Sequence, residues 1–175
     1  MADIPDYLVL KRHRELAGRE WHVWLRRSLL LVCLGLPAAL GLANVFGQRP
    51  DTTIAAVPVA SLKVYAPSHL RGGLLFMGRF TIDAHQDVKK AILVLDSGWA
   101  ESMSINTIEP SPVGEASRNG DFSFELGHIP KGKSYILYME FQVNPTNVGR
   151  RSQDVELFDG NTHLLTIHRT VTIWP

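Results

Sequence analysis

A single cysteine, Cys33, stands in 175 residues. It lies inside an uncharged run, so a domain built from the rest of the chain must hold together through its core, without disulfides. Charge of one sign is equally scarce, with 18 Lys and Arg against 17 Asp and Glu. Residues 1–27 carry six basic and four acidic side chains, net +2, which leaves twelve basic and thirteen acidic beyond them, net −1. That balance excludes the basic footprint of a nucleic-acid binder. The sequon-like Asn144-Pro145-Thr146 is spoiled by its proline. Lack of disulfides and of a usable sequon together lean towards a bacterial cell-surface protein.

Catalytic patterns are missing as well. The seven histidines show no His-x-His spacing. His163 and His168 are five apart, on opposite faces of a regular strand, while His69, His85 and His128 belong to separate turns. Asp96-Ser97-Gly98 lacks the Gly-x-Ser-x-Gly elbow of a serine hydrolase. Asp159-Gly160-Asn161 offers calcium-type oxygens, but a hairpin turn accounts for it sufficiently. The expectation is no metal, no cofactor and no enzyme.

What the chain does have is one long apolar run, residues 28–46, with no charge in nineteen positions. As a helix it reaches roughly 28 Å, close to the ~30 Å hydrocarbon core of a bilayer. Its leucines and valines favour insertion, a gain that Gly35, Pro37, Gly41 and Asn44 only partly cancel. Lys11, Arg12, Arg14, Arg19, Arg26 and Arg27 precede it and only Arg49 follows closely. Basic residues stay on the cytoplasmic side, so the expected layout is a cytoplasmic tail at 1–27, a transmembrane helix at 28–47 and an extracytoplasmic remainder. Trp21 and Trp24 suit the headgroup level. The alternative is a cleaved signal peptide, with Gly41-Leu42-Ala43 as a small-x-small cleavage site.

Gly35, Ala39, Ala43 and Gly47 recur every four residues within this run. Such a stripe lets a second helix approach closely, as a homodimer or beside another membrane protein. Pro37 predicts a kink, because its missing N–H leaves the Cys33 carbonyl without a helical partner.

After the run, residues 48–60 are expected to be an extended linker, and from residue 61 the period becomes two. Leu62 and Val64 alternate with Ser61 and Lys63; Leu74, Phe76, Phe80 and Ile82 share a face; residues 90–95 form a short apolar run that starts at Lys90. Residues 121–126 point Phe122, Phe124 and Leu126 inward. Residues 134–143 point Tyr135, Leu137, Met139, Phe141 and Val143 the same way. Residues 153–158 and 164–173 flank the Asp159-Gly160-Asn161 turn. Seven or eight short strands over residues 61–175 predict a mainly-β, immunoglobulin-like antiparallel sandwich, with a closed barrel as the alternative.

Leu126-Gly127-His128-Ile129-Pro130-Lys131-Gly132, running into the strand at 134–143, resembles the turn of bacterial extracellular Ig-like modules of the adhesion-related kind. In that pattern a strand ends, glycine permits a reversal, and a long central strand begins. The layout as a whole is similar to single-pass membrane proteins of high-GC Gram-positive bacteria. The resemblance implies an outer β-sandwich on one membrane anchor and carries no activity with it.

Three further features are candidates for contact or packing. Residues 96–120 form the longest expected irregular segment, with Trp99 and Met103 either packed over the core or presented to a partner. Arg150 and Arg151 are expected in a turn at one end of the sandwich, solvated or facing an acidic partner. Arg169 interrupts the apolar column Leu165, Ile167, Val171, Ile173; a β-bulge or an edge position accounts for it better than a buried arginine with a carboxylate partner. Two function classes follow. One is a membrane-anchored, non-catalytic accessory protein whose sandwich docks on a partner, such as another membrane protein. The other is a stand-alone envelope protein binding carbohydrate or wall polymer, for which Tyr65, Tyr138 and Phe158 are the outward aromatics.

Overall fold

Alternating side chains dictate strands over the second half of the chain, and the uncharged run before them dictates a helix. The computed structural model describes residues 20–45 and 47–175. Lys11, Arg12, Arg14 and Arg19 of the expected cytoplasmic tail lie outside the described residues. Helix α1 (Glu20–Leu42) comes first. The strands are β1 (Pro50–Ala56), β2 (Ala60–Pro67), β3 (His69–Arg71), β4 (Leu75–Ala84), β5 (Val88–Leu95), β6 (Met103–Glu109) and β7 (Gly114–Arg118). They continue as β8 (Asp121–Ile129), β9 (Ser134–Val143), β10 (Gly149–Ser152), β11 (Val155–Asp159), β12 (Thr162–Ile167) and β13 (Thr170–Trp174). Helix and strands belong to separate compact units.

The strand unit is a mainly-β sandwich, consistent with the immunoglobulin-like class. Five antiparallel strands in the order β1-β2-β4-β9-β6 make the first sheet, and β12-β11-β5-β8-β7 make the second. A third sheet, β10-β13-β3, joins β13 and β3 in parallel. Leu62, Val64, Phe80, Ile82, Leu137, Met139 and Phe141 from the first sheet share one core with Leu93, Leu95, Phe124, Leu157 and Leu165 from the second. Side chains alternate inward and outward along β2, β4 and β9, as a two-layer core requires.

Turn chemistry sets two of the hairpins. Asp159 pairs with Thr162 across Gly160-Asn161, and Gly160 at φ 58° takes the first central position of a two-residue turn. Arg118 pairs with Asp121 across Asn119 and Gly120, at φ 56° and 95°. Positive φ at both central positions is the type I′ geometry that Asn-Gly favours.

Several expectations change. The stretch expected to be a linker contains β1, which pairs along its whole length with β2. Residues 96–120 are mostly ordered as a 3-10 turn (Ser97–Trp99), β6 and β7; with β1, β3, β10 and the division of 164–173, thirteen strands replace seven or eight among the described residues. Phe122 has an inward register opposite Leu95 but lies near the sheet edge and stays 38% exposed. Strand β8 runs past Gly127 to Ile129, so the reversal begins at Pro130, later than the motif implied. The single strand expected over 164–173 breaks at His168-Arg169, where the chain leaves the second sheet for the third.

Candidate functional site

The helix is long and apolar enough to cross a membrane: Trp24–Leu42 spans 19 residues, with Arg26 and Arg27 near its start, and none of that stretch is buried in the protein. Trp21 and Trp24 stack on each other at its basic end, ring centroids 6.3 Å apart. The helix stops four residues earlier than the apolar run. Asn44 adopts φ 52°, its N–H bonds the Gly41 carbonyl at 3.0 Å, and the Val45 N–H bonds the Leu40 carbonyl at 3.0 Å. That pair of bonds is a Schellman stop, with asparagine in the left-handed position. The small-residue stripe is shortened accordingly. Gly35 and Ala39 lie on the helix, whereas Ala43 is in the stop and Gly47 in a bend beyond it.

Trp99 and Met103 are core residues, which corrects their candidacy as a contact surface. Asp96 caps the 3-10 turn through Oδ1, which accepts from the Gly98 N–H at 2.6 Å. This turn drives Trp99 between the sheets, against Phe80 at 5.3 Å and Phe141 at 5.2 Å. Its Nε1 donates to the Asp154 carbonyl at 3.2 Å. Gly98 is required by close approach, since a Cβ there would lie 1.9 Å from the Ser152 carbonyl oxygen. Arg150 and Arg151 are in strand β10, not in a turn. Arg150 is exposed; Arg151 is half-buried, with Nε 3.5 Å from Glu101.

Arg169 is buried at the strand break, where the sequence predicts a β-bulge or an edge position. Its backbone N–H donates to Asp154 Oδ1 at 2.9 Å, and Nη2 donates to the Ala66 carbonyl at 2.7 Å. The guanidinium sits 5.7 Å from the Trp99 ring centroid. Burial pushes its pKa below the ordinary value, and the charge of Asp51 acts the other way. Among the described residues no group of three or more His, Cys, Asp or Glu is arranged to hold a metal ion. His128 faces Asp87 and His168 faces Asp154 as simple surface pairs.

Two surfaces remain that no sequence pattern singled out. The first is the outer face of the first sheet. The register places Thr52, Tyr65, Arg79, Tyr138 and Glu109 in one row across all five strands. Arg79 lies 4.9 Å from the Tyr65 ring centroid. Tyr65 and Tyr138 are therefore together on one face, only two strands apart. Leu75, Met77 and Ile136 are exposed on this same face. Phe158, by contrast, is buried on the second sheet under Arg118, whose guanidinium is 4.0 Å from its ring.

The second surface is the open side of the sandwich. Edge strands β1 and β12 pack against each other, whereas β6 and β7 at the opposite side leave a cleft of about 470 Å³. Ile105, Ile108, Pro112, Phe122 and Phe124 supply its apolar lining, and Glu115 is its one charged group among the described residues.

No family model and no curated protein matches the chain. Solved structures similar to it include the GAE domain of GGA2p from Saccharomyces cerevisiae, at 12% identity and a TM-score of 0.31, over 71% of this chain and 96% of that one. Another is the GH20 exo beta-N-acetylglucosaminidase from Vibrio harveyi, at 10% identity and a TM-score of 0.30. That match covers 73% of this chain but only 18% of the glucosaminidase.

Proposed function

We propose that this is a single-pass, membrane-anchored, non-catalytic accessory protein, with its N-terminus cytoplasmic and its sandwich docking on a partner outside. The observation that supports this reading is the outer face of the first sheet. Leu75 and Met77 on β4, with Ile136 and Tyr138 on β9, are exposed on central strands, where an isolated domain would gain by polar side chains. An anchored partner fits that face, because an uncovered helix spanning the bilayer confines encounters to neighbours in the same membrane. Co-purification of the full chain in mild detergent tests the reading. The expected result is a stoichiometric membrane-protein partner that is lost from Met77→Glu/Ile136→Glu while the sandwich stays folded. A chain that elutes without any partner, or a partner equally retained by the double variant, refutes it.

A second reading is favoured by one specific observation, the row Tyr65, Arg79, Tyr138. Tyrosine faces beside a guanidinium suit stacking on, and hydrogen bonding to, an acidic carbohydrate or wall polymer. Sedimentation with purified wall polymer distinguishes it. Under this reading Tyr138→Ala weakens polymer binding and leaves membrane-protein co-purification unchanged.

A further inference from the structure

We propose that the cleft between β6 and β7 receives an extended, basic and apolar segment of a partner polypeptide, laid alongside β6. This goes beyond the outer-face contact and rests on the docking reading only in requiring a polypeptide partner.

The sandwich treats its two sides differently. At one side β1 and β12 close against each other. At the other, β6 and β7 are both terminal strands of their sheets, with the cleft between them. A terminal strand presents unpaired N–H and C=O groups, and proteins normally blunt it with charged residues, proline, a β-bulge or a covering element. Within β6 the sequence Met103–Glu109 contains neither lysine nor proline. Its one irregularity is the register shift between Ile105 and Thr107, which leaves Thr107–Glu109 regularly paired to β9 on the inner side.

The lining supplies the side-chain half of the recognition. An added strand presents alternate side chains to one side, and pockets for them give specificity. Ile108 and Phe124 form an apolar floor, and Phe122 is exposed despite its inward register. Val113, in the connection beside the cleft, is also exposed. The volume of about 470 Å³ accommodates two or three medium-sized side chains.

Charge decides the sign of the occupant. Among the described residues Glu115 lines the cleft with no basic residue in the lining, and Glu109 is exposed at the end of β6. Glu125 is already neutralised by Lys90 at 2.9 Å. The nearest arginine on β7, Arg118, is turned over the Phe158 ring. A segment carrying lysine or arginine between its apolar positions therefore complements the site, and an acidic one is repelled.

The test selects from a phage library of random peptides of about ten residues, the length of a strand, on the full chain in detergent. Recovered peptides are expected to alternate apolar residues, to carry net positive charge and to slow amide exchange over 107–109. Binding should fall at least about tenfold, about 1.4 kcal/mol, in Phe122→Asp, and Glu115→Lys should exchange the preference for acidic peptides. Circular dichroism confirms that each variant folds, and Val113→Asp replaces Phe122→Asp if that one does not. No enrichment, acidic or non-alternating peptides, or binding unchanged in the variants overturns the proposal. So does a concentration-dependent dimer that Phe122→Asp dissolves, because the occupant is then a second copy. A membrane partner retained by Phe122→Asp but lost from Met77→Glu/Ile136→Glu overturns the cleft alone. Peptides that bind without any co-purifying membrane protein overturn the accessory reading alone.

Discussion

Replacing Trp99 with alanine removes the largest fully buried side chain of the sandwich. A buried tryptophan hides about 150–250 Å², which at ~25 cal/mol/Å² corresponds to roughly 4–6 kcal/mol as an upper bound. Alanine retains part of that, while the cavity between Phe80 and Phe141 cannot close without moving β4 and β9. The expected loss is about 3–5 kcal/mol, a large share of the roughly 5–15 kcal/mol that holds a domain of this size. Trp99→Phe loses the indole donor, but the Asp154 carbonyl still accepts from the Asp96 N–H, so about 0.5–1.5 kcal/mol is expected for the lost bond. Urea unfolding of residues 47–175, followed by far-ultraviolet circular dichroism, measures both. The order wild type, Phe, Ala is diagnostic. A cost for Trp99→Ala below about 1 kcal/mol, the size of an ordinary surface change, would refute the core assignment and return Trp99 to the contact candidates.

Gly98→Ala places a Cβ 1.9 Å from the Ser152 carbonyl oxygen, a backbone atom with no rotamer to yield. It should cost about 1–3 kcal/mol or more in the same assay, and a neutral result would contradict the tight seating of this turn. For topology, Asn161→Cys, in an exposed turn, should react with an impermeant maleimide on whole cells, whereas Lys11→Cys should not; labelling of Lys11→Cys alone would reverse the orientation. Ala39→Ile on the helix should weaken helix association if Gly35 and Ala39 suffice as a groove, and crosslinking within the membrane reads this directly. Burial raises the Tyr135 hydroxyl above its ordinary 10.0. The folded chain then keeps this proton where the unfolded chain loses it, so its contribution is intact below about 10 and is lost as the pH rises through the folded value. Tyr135→Phe should flatten that alkaline decline in a stability profile.

Residue order alone determined much of this protein, because the relevant physics is local. The uncharged run set most of the helix, and strict alternation over 134–143 set one of the two longest strands with Leu137, Met139, Phe141 and Val143 inward. Asp159-Gly160 marked one hairpin; Asn119-Gly120 carried an equally local signal for another, inside the stretch expected to be irregular. The helix stop is local too, yet its apolar neighbours masked it: composition stays hydrophobic through Val45 while the backbone turns left-handed at Asn44. Tertiary structure decided the rest. Whether Trp99 is plug or contact depends on Phe80, Phe141 and Asp154, which lie far from it along the chain. The row of Tyr65, Arg79 and Tyr138 exists only because β2, β4 and β9 pair in one register, and a slip of one residue would turn any of them inward. Burial of Arg169 required the strand break that brings its guanidinium to the Ala66 carbonyl. The open cleft follows from strand order, since only the assembled sheets make β6 and β7 the edges at one side.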